Sequence, residues 1–475
     1  MTPAPKDRFP VAASRDDPLL RHLSDRFGGP AGRRLRPRWR PTQVLLGLAV
    51  LAILLSALTS QYCRINGWGG VEVFHAGCYS DISALYSQRG LAEEPFSPLI
   101  APGYFEYPVL TSVVAALAAA LTQFLLGLEL LEGILWEEGR ASLLYWDLSF
   151  AAAALVWLVL VLTVMKAAGA RPWDAAIVAA SPAIIFGIGI NWDIWAVAAL
   201  ALAVLAFQRG AHLSAGLMIG VGVSFKLFPL FMLGAVLVLV LRRDSGLSMA
   251  VFLRTLLGAL ASWLVLNVPA MILSFSSWAQ FFELSAERGA GYSSPWHIWQ
   301  VIAERSGGTG LAAETISVWS FVLFAASCAG ILVLGLLAPK PPRMVQLLFL
   351  IVAAFLLVNK VYSPQFMIWL VPLIALAAPR IRDALIWQGF EVLHFWAVWM
   401  YLASLAGEQD PQHSFDSVLY VAAVLGHIGA TGYLMVQVVL DILHPARDPV
   451  RRSAAQVKLQ DRSPESSRAG SRPIP

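Results

Sequence analysis

Three ionisable side chains stand inside apolar sequence: Asp193 in Asn191-Trp192-Asp193, Lys226 in Ser224-Phe225-Lys226-Leu227-Phe228-Pro229, and Lys360 in Asn359-Lys360-Val361-Tyr362-Ser363-Pro364-Gln365. A charge at bilayer depth costs at least ~2.5–3.5 kcal/mol on insertion scales, so each requires a partner or a water-filled cavity. Together they predict a polar chamber shared by three segments. The plainer alternative is that Asp193 pairs with Lys226 or Lys360 and simply locks helices together.

A fourth charge has the spacing of a catalytic group. In the run from Cys78 to Gly90, Ile82, Leu85 and Tyr86 recur with helical spacing and Gly90 can end the helix. Such a short amphipathic helix lies on a membrane surface and holds the Asp81 carboxylate at the depth of a lipid headgroup. There it could act as general base toward a sugar hydroxyl, although a solvated surface acid has the same spacing. Next comes Tyr104-Phe105-Glu106-Tyr107-Pro108, an acid among rings that can stack on sugar faces, while Pro108 equally suits the first position of a helix. Further on, Arg288 could hold a phosphate, and His297, near Tyr292 and Trp296, could orient a phosphate or sugar. Trp296 is read as an interfacial anchor.

What is missing also directs the reading. The chain has no Gly-rich phosphate loop, no Cys or His spacing typical of metal ligands and no serine elbow, so no metal or cofactor is expected and soluble-nucleotide chemistry is unsupported. A lipid-linked phosphate, approached from the bilayer, suits the embedded cations better.

The elements that must position these groups are set by composition. Hydrophobic residues make up 58% of the chain and charged residues 13%, which cannot build a water-facing surface. Spanning helices are predicted near 43–59, 142–165, 174–190, 192–207, 211–225, 228–241, 250–273, 314–337, 344–358, 364–378, 383–405 and 416–440. The formal charge of +4 concentrates in the tails and short connections, so it reports orientation and not nucleic-acid binding. Residues 1–42 hold ten basic side chains against four acids, which places that tail in the cytoplasm; the run from Thr42 to Ser60 then reads as a retained signal anchor.

Twelve crossings return the C-terminus to the cytoplasm, and the inner connections then carry Lys166 with Arg171, Arg209 with His212, Arg242 with Arg243 and Arg254, Lys340 with Arg343, and Arg380 with Arg382. The apolar run 107–128 would reverse that scheme if it crossed. Because acidic residues follow it at 129–138, it is expected to lie along the outer interface or to re-enter without crossing. The expected organisation is a disordered basic tail at 1–42, a membrane domain at 43–440 with external regions at 60–141 and 274–313, and a second disordered tail at 441–475. Cys63 and Cys78 share the first external region and could close a disulfide, whereas Cys328 is packing.

The segments around Asp81-Ile82, Glu106-Tyr107-Pro108, Asn191-Trp192-Asp193, Lys226-Leu227-Phe228-Pro229 and Val361-Tyr362-Ser363-Pro364-Gln365 resemble those of a known family. It is the bacterial polyprenol-phosphate-mannose-dependent glycosyltransferases of family 87, within the membrane-embedded C superfamily, and the resemblance covers roughly 43–440. It implies an all-α polytopic plasma-membrane protein of about twelve transmembrane helices, with interfacial helices in its first external loop. It further implies inverting transfer of a sugar, most plausibly mannose, from a polyprenyl-phosphate carrier to a glycolipid, polysaccharide or protein outside the cytoplasm, without a metal. Asp81 would be the base, and Lys226, Lys360 and Arg288 would neutralise the leaving phosphate. Glu106, Tyr107, Trp192, Asp193, His297, Tyr362 and Gln365 would line the substrates. A transporter or lipid flippase is the alternative and predicts polar residues continuing to the inner side, which the sequence does not reveal; a non-catalytic member of the same fold is a third.

Overall fold

The computed structural model describes residues 17–23, 26, 40–101, 105–128, 141–407 and 414–462. Among them the chain is entirely helical. The main helices are α1 (Pro41–Thr59), α2 (Asp81–Gln88), α3 (Val109–Leu126), α4 (Ala141–Ala167), α5 (Pro182–Gly187), α6 (Asp193–Gln208), α7 (His212–Phe225) and α8 (Phe231–Leu241). They continue as α9 (Met249–Leu273), α10 (Phe275–Glu287), α11 (Pro295–Arg305), α12 (Ala313–Leu337), α13 (Met344–Val358), α14 (Met367–Ala377), α15 (Ile381–Ala406) and α16 (Ser417–Leu443).

Seven of these, α1, α3, α4, α9, α12, α15 and α16, are long and apolar enough to cross a membrane, so the protein is membrane-embedded. The remaining apolar stretches, such as Met344–Val358 and Pro364–Ala377, have 10–17 residues. At 1.5 Å per residue such helices fall short of a hydrocarbon core of about 30 Å. They are tolerated because they run inside the bundle: α14 is buried along its whole length, whereas α9 and α12 turn rows of Leu, Val and Phe outward. Helices α7 and α9 approach most closely. A Cβ at Gly216, Gly220 or Gly258 would run into Thr255 O, Ser262 Oγ or Leu213 O, so the small residues of a Gly-xxx-Gly face are what let the two backbones meet.

Two details differ from the sequence expectations. The segment expected as one helix over 174–190 is broken between Ala179 and Pro182, where the proline lacks an N–H to continue the ladder. There Ser181 Oγ caps α5 by accepting from Ile184 N at 3.2 Å. The second tail, expected without structure over 441–475, carries a helix at Pro449–Arg462, begun by Asp448 accepting from Val450 N at 3.0 Å. In the first tail, 17–23 are also ordered, with Asp17 accepting from Ile381 N at 2.9 Å; the rest of that call, and the acidic stretch after α3, fall largely outside the described residues.

The connections sort into two ends. One gathers residues 60–101 and 105–108, Lys226, 288–297 and 359–363. Helix α3 makes polar contacts with this end: Thr111 Oγ1 donates to Phe225 O (2.9 Å), Tyr145 of α4 reaches Ala115 O (3.4 Å), and Gln123 Nε2 donates to Ala92 O (2.7 Å). The other end gathers the basic connections with the ordered parts of both tails. It is not poor in buried charge, contrary to the expectation that the inner ends lack it. Arg343 meets Asp448 at 2.8 Å, Arg380 meets Asp441 at 2.6 Å and Arg171 meets Asp174 at 2.8 Å, with all three acids buried. The acids that answer these arginines lie far away in sequence or beside them in a tight turn, so a linear reading could not pair them.

Candidate active site

The chain before Asp81 is fixed at several points. Cys63 and Cys78 form a disulfide across a separation of 15 residues, with 5.9 Å between their Cα atoms. Between them Gly77 has φ +62 and lies against Trp396, whose ring a Cβ would approach to 2.6 Å, so only glycine fits. Ser80 is extended, and its Oγ donates to Gly189 O at 2.7 Å. Asp81 N donates to Ile190 O at 2.8 Å, which ties the start of α2 to the segment leading into α6. Ile82, Leu85 and Tyr86 are buried, the last stacked on Tyr145 at 4.3 Å, and Gly90 follows α2 with φ +72. The apolar spacing read from the sequence therefore describes α2 as built.

The Asp81 carboxylate accepts from Tyr107 Oη at 2.9 Å, and the Tyr79 hydroxyl also bonds to it. Burial among these rings pushes its pKa above the ordinary carboxylate value, while the two tyrosines and the nearby Lys226 charge hold it back. Part of its surface stays open. A carboxylate that is harder to ionise, on a residue that is not fully buried, has the character of a base that can both take and keep a proton.

Beside it lies a second acid. Asp193 sits in the first turn of α6, where the helix dipole favours a carboxylate, and Lys226 lies just past the last residue of α7, where it favours a cation. The two meet at 2.8 Å, and Trp369 Nε1 donates to the other Asp193 oxygen at 2.8 Å. Lys226 also stands 4.9 Å from the Tyr107 ring centroid and 5.4 Å from that of Phe366. Phe228 and Phe366 stack on Trp369 at 4.1 and 4.2 Å. Of the alternatives for Asp193, the pair with Lys226 is the one formed. Trp192 packs edge-on to Tyr107 at 5.5 Å, and its buried indole N–H has no acceptor among the described residues.

The other residues singled out from the sequence divide. Arg288, exposed just after α10, acts on the Tyr79 hydroxyl through its charge, which places it at the same mouth. Glu106 is held by Arg89 at 2.9 Å. Lys360, expected in one chamber with Lys226, instead binds Ala286 O at 2.9 Å and Ser317 Oγ at 3.0 Å, because a partly desolvated ammonium takes the nearest carbonyl and hydroxyl. His297 packs edge-on among Tyr292, Tyr401 and Tyr420, a ring set distinct from that around Asp81. Gln365 is buried in the turn entering α14. Tyr362 turns inward, its hydroxyl donating to Glu391 Oε2 at 2.9 Å.

That last contact leads to a group the sequence reading missed. Glu391 and His394 of α15 and His427 of α16 are buried with one donor atom from each lying within 4.8 Å of the others. The signal was legible in part: Glu391 and His394 form an i,i+3 pair on one helix face, but His427 is 33 positions further on and only folding reveals it.

A narrow groove of mixed polar and apolar lining, with room for about 20 Å³, meets the Asp81 cluster at Tyr107 and is lined further by Pro98, Trp263, Asn267, Ser277 and Trp278. A larger recess of about 560 Å³ opens at the opposite end beside Asp174, His212 and Arg343. No protein-family model and no curated protein matches this chain.

Proposed function

We propose that this protein is a membrane glycosyltransferase that moves a sugar, most plausibly mannose, from a polyprenyl-phosphate carrier to a cell-envelope acceptor, with Asp81 as general base. The observation that carries the reading is the Asp81 carboxylate: gripped by Tyr107, with a raised pKa, on a residue that is not fully buried, and set near the Lys226 cation. In this scheme Asp81 takes the proton of an acceptor hydroxyl as its oxygen attacks the anomeric carbon from the face opposite the phosphate. The bond from that carbon to the phosphate oxygen breaks, the configuration inverts, and the polyprenyl phosphate leaves with the electron pair. Arg288 answers the developing phosphate charge, assisted by Lys226, which Asp193 holds in place. Trp192 and Tyr107 supply donors and ring faces for the sugar. Lys360 supports this arrangement from behind, joining the loop before α14 to α10 and to α12.

The resemblance to family 87 and the charge pattern support twelve crossings with α3 lying at the outer side and both termini cytoplasmic, which puts Asp81 at the outer leaflet of the plasma membrane. The transporter or flippase reading keeps one specific support, since polar residues and a recess also occupy the opposite end.

Purified protein incubated with labelled polyprenyl-phosphate hexoses and extracted envelope lipids should transfer label, and Asp81→Asn should slow transfer by about 10²–10⁴-fold without lowering the unfolding temperature. Unchanged turnover in Asp81→Asn would remove the base assignment. If the wild-type protein turned over no donor but moved labelled lipid across proteoliposomes, the transport reading would replace this one.

A further inference from the structure

The interior of α15 and α16 holds a second centre that the transfer scheme does not use. Glu391, His394 and His427 are at most 1% exposed. His427 Nδ1 is 3.5 Å and His394 Nδ1 3.9 Å from the Glu391 oxygens, and the two imidazole rings lie 4.2 Å apart. None of the four imidazole nitrogens has a hydrogen-bond partner among the described residues. Buried polar atoms are ordinarily paired, and two unpaired Nδ1 atoms, one from each ring, facing one carboxylate ask for something placed between them. A proton shared between His427 and Glu391 would satisfy one nitrogen and leave the His394 ring unserved. A divalent cation takes a lone pair from each ring and one from the carboxylate at once.

We propose that Glu391, His394 and His427 bind a divalent transition metal of the zinc type, and that the metal is structural. Zinc bonds to imidazole nitrogen at ~2.0–2.1 Å and to carboxylate oxygen at ~2.0–2.2 Å, so tetrahedral ligand atoms stand about 3.4 Å apart. The present spacing is 3.5 Å for one pair and no more than 4.8 Å for any, close to that arrangement. Two imidazoles and a carboxylate are a donor set for zinc or ferrous iron and not for calcium or magnesium. The carboxylate is already oriented: Tyr362 Oη donates to one oxygen at 2.9 Å, and Thr431 Oγ1, itself bonded by Trp387 Nε1 at 3.0 Å, faces the other at 3.5 Å. Hydrogen bonds to a ligand of this kind fix it for the metal. The centre is closed to solvent, so it does not act on substrate. It joins α15 to α16 and, through Tyr362, holds the turn carrying Phe366, whose ring faces Lys226.

This inference stands apart from the transfer reaction and is tested without it. Protein purified without chelators should carry about one zinc or iron per chain by elemental analysis, and X-ray absorption at the metal edge should count two imidazoles and an oxygen ligand. His394→Ala and His427→Ala should each lower the content at least about tenfold, and Tyr362→Phe should weaken retention against a chelator by about tenfold. If the histidine variants fail to fold, the wild-type absorption spectrum still decides. Less than a tenth of an equivalent after dialysis against zinc, an unchanged content in the histidine variants, or an edge spectrum without imidazole would each overturn the proposal.

Discussion

Both ends of this bundle bury charge, and they do so differently. At the end opposite Asp81, guanidinium groups meet carboxylates and spare carbonyls together: Arg343 bonds Asp448 and also Leu376 O and Ala377 O, each at 2.6 Å. Arg242 likewise bonds Ala338 O at 2.7 Å and Gly335 O at 2.8 Å. These forks close helix ends, satisfying terminal carbonyls that have no partner within their own helices. At the Asp81 end Asp193 holds the one close ammonium, the donors to the Asp81 carboxylate are tyrosines instead of arginines, and Asp81 is left partly open. The fully bonded Arg343 fork is architecture, although Arg380 Nη1 and Asp441 Oδ2 at the same end keep no partner among the described residues, whereas the acid held by tyrosines is available for chemistry. The membrane-facing sequence shows both simply as embedded ionisable residues.

Neutralising one acid from each end gives the largest test of this contrast. Asp81→Asn should lower the transfer rate by about 10²–10⁴-fold, the usual share of a general base. Its stability should hold or rise slightly, since burial already disfavours the ionised form. Asp448→Asn should do the reverse. It leaves Arg343 without its carboxylate and should cost about 3–5 kcal/mol in detergent unfolding, with turnover per folded molecule unchanged. Equal behaviour of the two variants in the rate and unfolding assays would erase the distinction between the ends.

The Asp193–Lys226 pair lies between these extremes. Lys226→Met leaves a buried carboxylate with only Trp369, so it should destabilise by roughly 3–5 kcal/mol and also slow transfer. Adding Asp193→Asn should recover most of the stability, because removing both charges of a buried pair is often neutral, and should not recover transfer. Recovery of both in the kinetic assay would assign the pair to helix locking alone.

How much of this was legible beforehand depends on range. The amphipathic register of Ile82, Leu85 and Tyr86, the apolar helices, the grouping of basic connections at one end and the nearness of Asp193 to a lysine follow from local pattern and desolvation cost. The partner of Lys360 did not, because a carbonyl and a serine hydroxyl carry no sequence signal. Asp441 and Asp448 seemed to belong to a solvated tail until Arg380 and Arg343 were found against them. The centre at Glu391 needed a third ligand from another helix. Contacts made by tertiary packing between distant residues are the part a single sequence leaves open.

A smaller effect concerns the tether that sets the position of Asp81. Closing a loop of about 15 residues with a disulfide is worth about 3 kcal/mol in the chain-entropy account. Cys63→Ser with Cys78→Ser should therefore lower stability by up to that amount. Since Asp81 N remains bonded to Ile190 O, the acceptor KM should rise more than kcat falls. A loss confined to kcat in steady-state assays would show that the tether positions the base itself.

The finest test addresses the base through its neighbour. Tyr107 donates to the Asp81 carboxylate and so favours the ionised form that a general base must have. Because burial has already raised this pKa, activity should fall on acidification at a pH above the ordinary aspartate value of ~3.9. Tyr107→Phe keeps the ring over which Lys226 sits and removes only the hydroxyl. The folded pKa should rise again, so the acidic limb of kcat/KM should move to higher pH, while the plateau at high pH, where the base is ionised in both proteins, should change by less than about tenfold. A structural role for the hydroxyl would lower the plateau and leave the limb in place. The pH–rate profile therefore separates a residue that tunes the proton acceptor from one that only holds the loop, which is the difference between the two ends reduced to a single bond.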